Sequence, residues 1–443
     1  MKKTLLLLLL IVTSTISFAQ NYTIEVLDSK TGKPIYNVHI TQGNEVYLTN
    51  DNGLVTIVKG PLKTVAVSHV QYESKVIQLT ALKKVTVYLT EIGSLLNEVT
   101  ITSKRNFKKY IQFNRLPKIP KAIHSFGAVL KGDKLYTFGG DASKIQRSNR
   151  KGLSELLDSS EGSILSFLTK NKTSNFYAYR KHIFSYDFKQ KYWETKKIET
   201  KPRAYHKAIA YKDDVYILGG KSLSTSKKRE LLAPQIEILN TTNDSILIDE
   251  MNPHQGVNSE ALVFQDKLLV IGGSLKLKEQ GRKEYTDKIH FYDFNSGYWY
   301  LLTTMSKGKE TSGVIVDNTL YLFGGYSNRR LSEVESFDLN TGKWKKEGAL
   351  FTAMEKPAIT SHNNTVYLFE KDKLVTYHTV TRELKEFQIE LPFYFSEMFY
   401  KEDKLYIVGG TDLKEYEDTP QRNFVEISLD EFDTTRVHKQ KVL

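Results

Sequence analysis

One phrase recurs along this chain and limits what it can fold into. LYLFGG, ending at Gly325, is echoed by KLYTFGG at Gly140, DVYILGG at Gly220, KLLVIGG at Gly273 and KLYIVGG at Gly410. A further copy, TVYLFEK, keeps the strand but places Phe369 and Glu370 where the glycines are expected. Successive diglycines lie 80, 53, 52 and 85 positions apart, and the degenerate copy divides the last interval roughly in half. A second phrase follows most copies: HIFSYDFKQKYWE from His182, KIHFYDFNSGYWY from Lys288, SFDLNTGKWKK from Ser336, and fainter versions at QIEILNTTNDSIL and KLVTYHTVTRELKEF. Two adjacent glycines let a backbone turn where a side chain would collide, and Asn-Thr-Gly between strand-like runs is turn chemistry. A self-similar period of this length marks an array whose units cannot bury their faces alone. With four short strands and no long helix per unit, the array expected is a β-propeller.

The ends are different. Lys2 and Lys3 precede an apolar run from Leu5 to Val12, and Ser17-Phe18-Ala19-Gln20 follows. Residues 1–20 thus read as a secretory signal peptide cut near Ala19 or Gln20, too short in its apolar core for a spanning helix of roughly 20 residues. No later segment is long and apolar enough to span a membrane. The chain has no cysteine, so neither a disulfide framework nor a lipid-accepting cysteine is available. Export across a bacterial inner membrane is expected, to the periplasm, the outer-membrane surface or the medium. The net charge of +12 comes from 63 basic residues against 51 acidic ones that alternate along the chain. The densest basic groups are Lys104-Arg105 with Lys108-Lys109, Lys227-Lys228-Arg229 and Arg329-Arg330. That balance suits anionic surfaces or polysaccharides, and an exported location argues against nucleic acid.

From Asn21 to Thr102, short alternating runs are separated by Gly32-Lys33-Pro34, Asp51-Asn52-Gly53 and Lys59-Gly60-Pro61, which predicts a β-sandwich of about seven strands. Gly32-Lys33-Pro34-Ile35, Thr49 to Gly53 and His69-Val70-Gln71-Tyr72-Glu73 resemble the carboxypeptidase regulatory-like domain, a transthyretin-like fold that begins many exported Bacteroidetes proteins. Leu96 to Ile101 resembles the tail after this domain in TonB-dependent receptors, although no plug or barrel follows. Asp51 and His69 have no third ligand nearby in sequence, so no metal is expected. Residues 103–118 read as a linker or a closing strand.

Residues 119–443 resemble the kelch-repeat β-propeller. Six units begin near His124, His206, Ser259, Thr311, Pro357 and Ser396, and each opens on an apolar inner strand. Trp193, Trp299 and Trp344 fall at the late aromatic position of their units and are expected to pack there. The unit lacking a diglycine is expected to lean on its neighbours. The first carries an insertion between Asp141 and Tyr179, expected to be an exposed appendage. Either Thr435 to Val442 or a segment near Tyr110 to Phe113 completes the sixth blade. The fold class is therefore all-β: a small N-terminal sandwich followed by a six-bladed propeller.

Kelch propellers include copper radical oxidases, whose cysteine-linked tyrosine is impossible here. They also include six-bladed sialic-acid mutarotases, and that resemblance implies an acid and a base at the channel mouth. Arg203, His206, Glu260, Glu310, Glu355 and Glu397 lie at or near inner-strand starts and are the candidate ligand-binding residues. Charged residues at strand starts are ordinary, however, and no nucleophile, metal or cofactor motif accompanies them. The expected function is non-catalytic binding of a carbohydrate or an envelope protein at the propeller rim, with sugar epimerisation as the alternative. The 26 tyrosines suit such contacts, among them Tyr285, Tyr298, Tyr326, Tyr394 and Tyr416.

Overall fold

The computed structural model describes residues 21–58, 63–79, 83–91, 107–146, 178–226, 229–277, 283–414 and 417–443. The signal peptide, the Leu96 to Ile101 tail, most of the first-blade insertion and Tyr416 lie outside them. The chain divides into two compact units, Met1–Lys104 and Arg105–Leu443.

The first unit is a β-sandwich. One sheet places Asn21–Asp28 between Leu54–Val58, antiparallel, and Lys84–Leu89, parallel. The other runs Glu45–Leu48, His39–Gln42, Thr64–His69, Tyr72–Gln78. Alternation along these strands turns Ile24, Val26, Ile40, Ile57, Val65, Val67 and Val87 into one core. His69 accepts the Gln71 backbone N–H (3.2 Å) and sets its ring edge-on to Tyr72, a local turn role.

The second unit is a six-bladed propeller. The inner strands are Gly127–Lys131, Lys207–Tyr211, Glu260–Phe264, Glu310–Val316, Ala358–His362 and Glu397–Lys401. In blades one to five the chain turns into a second strand, returns in a third, and reaches an outermost fourth, all antiparallel; blade six has the same first three strands. This winding puts the starts of all inner strands, and the hairpins after the diglycines, on one face. Wedge-shaped apolar clusters fill the spaces between blades, as where Ile271 and Ile289 of the third pack on Leu320, Leu322 and Phe337 of the fourth. The tryptophans join blades: the indole N–H donates to the Pro117 carbonyl from Trp193 (2.7 Å), to Met251 O from Trp299 (3.1 Å) and to Thr303 Oγ1 from Trp344 (3.4 Å).

The diglycine is an inter-blade contact. Its second N–H donates to the connection entering the next blade, as from Gly140 to Arg203 O (2.9 Å) and Gly273 to Lys309 O (2.8 Å). At Gly325, φ is +116° and a Cβ would stand 2.1 Å from the Glu310 carbonyl oxygen, so only glycine fits. The fifth blade corrects the sequence alignment. Phe369 pairs with Ala358 as Phe138 pairs with Gly127, so Glu370 and Lys371, not Phe369 and Glu370, stand in the glycine positions. Lys371 N–H still reaches the next connection, at Phe393 O (2.9 Å), with φ of +37° at Lys371 and +57° at Asp372. This blade also gains a fifth strand, Lys439–Val442, against Glu383–Gln388.

That fifth strand shows how the ring closes. The C-terminal run does not complete blade six. Asn114–Arg115 does so, pairing with Phe424–Ser428, while Ile111 bridges Ile389 and Lys108 bridges Thr435. Residues 107–118 therefore belong to the propeller rather than to a linker. The start of the insertion also packs: Ala142 and Ser143 are buried, and Ile145–Gln146 pairs with Glu417–Pro420 of blade six.

Candidate functional site

The repeat carries a second, less visible element at the entrances of blades one, two, three and six. Two residues before the inner strand, Ser125, Tyr205, Asn258 and Phe395 adopt positive φ of +49°, +60°, +53° and +54°. Their backbones form a chain around the channel mouth. Asn258 N–H donates to Tyr205 O (2.9 Å), Tyr205 N–H to Ser125 O (2.6 Å) and Ser125 N–H to Phe395 O (3.3 Å). Lys356 takes up the remaining side, its ammonium donating to Asn258 O (3.4 Å) and Thr311 O (2.6 Å). Left-handed backbone at tyrosine and phenylalanine is strained by on the order of 1 kcal/mol each and persists only where surroundings enforce it.

Below this ring the channel is plugged by charge. Lys207 Nζ meets Glu397 at 3.0 and 3.2 Å and Glu260 Oε1 at 3.3 Å, and Lys356 Nζ meets Glu260 Oε2 at 3.3 Å. Burial acts against charge on all four. Lys207 is nonetheless held above the ordinary lysine value by Glu260 and Glu397, and Glu260 is held below the usual carboxylate value by Lys207 and Lys356. Glu397 is pushed up by burial, and burial pulls Lys356 down. The residual void here is about 20 Å³, of the order of one water-sized probe.

Above the ring lies a cleft of about 580 Å³. Tyr205, Val257 and Asn258 form its base. One wall is the blade-two hairpin Lys221–Leu223 and Glu230–Leu232; the other is the blade-three hairpin Ser274–Leu277 and Lys283–Tyr285. Glu355 and Phe395 close the far side. Lys221 pairs with Glu230 (2.7 Å) and stands over the Tyr205 ring at 4.4 Å; Tyr179 also hydrogen-bonds Glu230. The Tyr205 hydroxyl donates to Asp141 (2.8 Å), and burial first, then Asp141, pushes its pKa well up. Beneath the other wall, fully buried Glu310 accepts from Ser274 Oγ (2.7 Å), Lys283 Nζ (2.7 Å) and Asn258 Nδ2 (2.8 Å), fixing three lining groups at once. Burial pushes the Glu355 carboxyl up, and Arg330 at 3.4 Å only partly offsets this. Arg330 also reaches Glu370 (3.5 Å), whose Oε1 accepts the N–H groups of Glu355 (3.0 Å) and Lys356 (3.1 Å). The lost diglycine of blade five thus supplies a carboxylate that holds the cleft's far side.

The six sequence candidates separate. Arg203 is buried inside blade two, where its guanidinium pairs with Glu237 (2.6 Å) and donates to Gln235 O (3.1 Å). His206 lies between blades one and two and accepts the Gly127 N–H at Nε2 (3.1 Å); burial, then Arg203, pulls its pKa far down. Glu260 and Glu397 belong to the plug, Glu310 lies under the cleft, and Glu355 lines it. Tyr205, Lys207, Lys221, Glu230, Asn258, Lys283 and Lys356 were not singled out from sequence. Tyr205, Asn258 and Phe395 share one place in the repeat, two residues before each inner strand, and that register was the signal available. Of the loop tyrosines, Tyr394 is buried beneath Arg330, Tyr285 accepts the Asn328 N–H (3.1 Å) beside Tyr326, and exposed Tyr298 begins an outer strand.

Residues 168–370 match the KLHDC2/KLHL20/DRC7 Kelch-repeats domain. Kelch-like protein 23 of Homo sapiens is 23% identical over 151 residues, which is 33% of this chain and 25% of that protein. The chain thus spans about a quarter of this relative. Among solved structures, one titled "Structure of YjhT" superposes with a TM-score of 0.53 at 12% identity, covering 69% of this chain and 95% of that one. Over residues 168–370 the propeller is accordingly built of kelch repeats. Among the described residues no helix is long and apolar enough to cross a membrane.

Proposed function

We propose that this protein is an exported, non-catalytic binding protein of the bacterial cell envelope that takes a carbohydrate in the cleft at the channel mouth. The observation that carries this reading is the ring of left-handed residues, because strain of this kind collects where side chains are held for a ligand. It brings Tyr205, Asn258 and Phe395 to a concave surface already furnished with fixed hydrogen-bonding groups. A pocket of several hundred Å³ with aromatic surface and a few convergent polar groups is what a small ligand requires. The envelope setting is supported by the leader-like first 20 residues and by the regulatory-like features of the sandwich. An envelope protein seated on the same rim is the other partner class.

The test is a glycan array probed with the mature protein and with Asn258→Ala. Saccharide binding that the variant lowers at least tenfold supports the reading, and an array silent to the wild-type protein overturns it in favour of a protein partner.

One observation favours the epimerase alternative: Glu355, with its raised pKa, faces the same space as groups held by Glu310, and such tuning serves proton transfer. Exchange spectroscopy at the anomeric proton of a bound sugar separates the two. Acceleration that disappears in Glu355→Gln would replace binding by catalysis.

A further inference from the structure

The cleft carries charge, but each cation among its described lining residues is already matched. Lys221 is bound by Glu230 at 2.7 Å and Lys283 by buried Glu310 at 2.7 Å. Arg330, behind the far side, lies between Glu355 (3.4 Å) and Glu370 (3.5 Å) with its guanidinium over the Tyr394 ring. Among the described residues the lining offers two ammonium groups and two carboxylates, Glu230 and Glu355, with the Glu310 carboxylate directly beneath. Among the described residues, a ligand carboxylate would therefore meet no unmatched cation and at least one acidic side chain. Hydroxyl groups fare differently. Glu230, Glu355 and the Asn258 amide oxygen can accept from them, Ser274 Oγ, its proton given to Glu310, can accept as well, and Phe395 and Leu275 offer apolar surface to C–H faces.

We infer that the cleft selects an uncharged, polyhydroxylated saccharide and rejects acidic sugars. This rests on the carbohydrate reading above and fixes the class of sugar within it. The cause is repulsive as much as attractive: like charge opposed across a partly desolvated cleft discriminates more strongly than a lost hydrogen bond. It also sets this site apart from the sialic-acid chemistry that the six-blade resemblance implies.

The experiment is saturation-transfer NMR and calorimetry on the mature chain with methyl glycosides of neutral hexoses and N-acetylhexosamines, each beside its matching hexuronic acid, and with free sialic acid. The expected result is binding of at least one neutral sugar, with its acid weaker by about tenfold or more. In Glu355→Gln the ratio of the two affinities should narrow to within about threefold, because the repelling charge is gone. Acidic sugars binding as tightly as neutral ones would overturn the inference and leave the carbohydrate reading standing. So would a ratio unmoved by Glu355→Gln. Silence toward every sugar would overturn both.

Discussion

The plug and the cleft are made of the same kinds of side chain, lysine and glutamate, and lie one above the other, yet they do different things. In the plug, Lys207, Glu260, Lys356 and Glu397 answer one another across the channel, with hardly a void left. In the cleft, Lys221, Glu230, Lys283 and Glu355 each keep a side open to about 580 Å³ of space. Opposite charges packed against each other with hardly a void hold blades two, three, five and six in register; opposite charges along an open wall present a polar surface. Identity does not distinguish Glu260 from Glu355, and both lie at or near the start of an inner strand, Glu260 opening it and Glu355 three residues before Ala358. Depth distinguishes them.

The largest effect that sharpens this contrast is expected from Lys207→Met. Removing one partner leaves Glu397 and part of Glu260 as buried, unanswered charge, a loss of about 3–5 kcal/mol. Urea unfolding of the mature chain measures it; a loss below about 1 kcal/mol would mean that the plug does not hold the ring.

Gly325→Ala is expected to rank next, at roughly 2–4 kcal/mol, since a Cβ there meets the Glu310 carbonyl and φ is strongly positive. The contrasting substitution, Lys371→Gly in the blade without a diglycine, should change stability by less than about 1 kcal/mol. Thermal melts of the two variants side by side test the claim that these turns are equivalent.

Acid should act on buried histidine before it acts on the cleft. His254 donates at Nε2 to Gly272 O (2.7 Å) and receives the His290 Nδ1–H at Nδ1 (2.8 Å), and burial pulls its pKa down to about 4 from 6.5. Below 6.5 the unfolded chain takes up a proton that the folded chain refuses, so stability falls as pH drops from 6.5 towards 4. Between pH 7 and pH 5 this one group is expected to remove about 2 kcal/mol. Buried Glu355, Glu370 and Glu397, with raised values, work in the opposite direction as they protonate. The diagnostic is therefore the difference between wild type and His254→Gln in urea at the two pH values, with the variant losing less.

Glu355→Gln is expected to move stability by under about 1 kcal/mol at pH 7, because burial already disfavours its charge and removing that charge relieves as much as it loses. Its effect belongs to ligand selection. A large loss of stability in this variant would place Glu355 with the plug and erase the distinction.

Much of the fold was legible because propeller blades are local. Each diglycine, each short turn and each late tryptophan declares itself within some 50 residues, and an antiparallel strand pairs with the next one in sequence. The register of the fifth blade was misjudged by one residue because Phe369 imitates the end of a strand whose glycines are gone; only its pairing with Ala358 fixes Glu370 and Lys371 in their places. The closing strand was harder, since Asn114 and Arg115 meet Val425 and Glu426 across some three hundred residues, and no local signal spans such a distance. Among the site residues, Glu310 and Glu355 were found by their place at strand starts, whereas Lys221, Glu230 and Lys283 sit on hairpins whose direction the repeat does not specify.

The sequence by itself determined the blade: alternation set which side chains face neighbouring blades, and glycine pairs set where the second strand must turn, because both follow from backbone geometry over a few residues. Tertiary structure alone decided which charges are answered. Lys207 meets Glu397, and Lys356 meets Glu260, only when the wheel has closed and inner strands far apart in sequence converge on one axis. Electrostatic energy depends on distance and on exclusion of water, and a linear sequence carries neither.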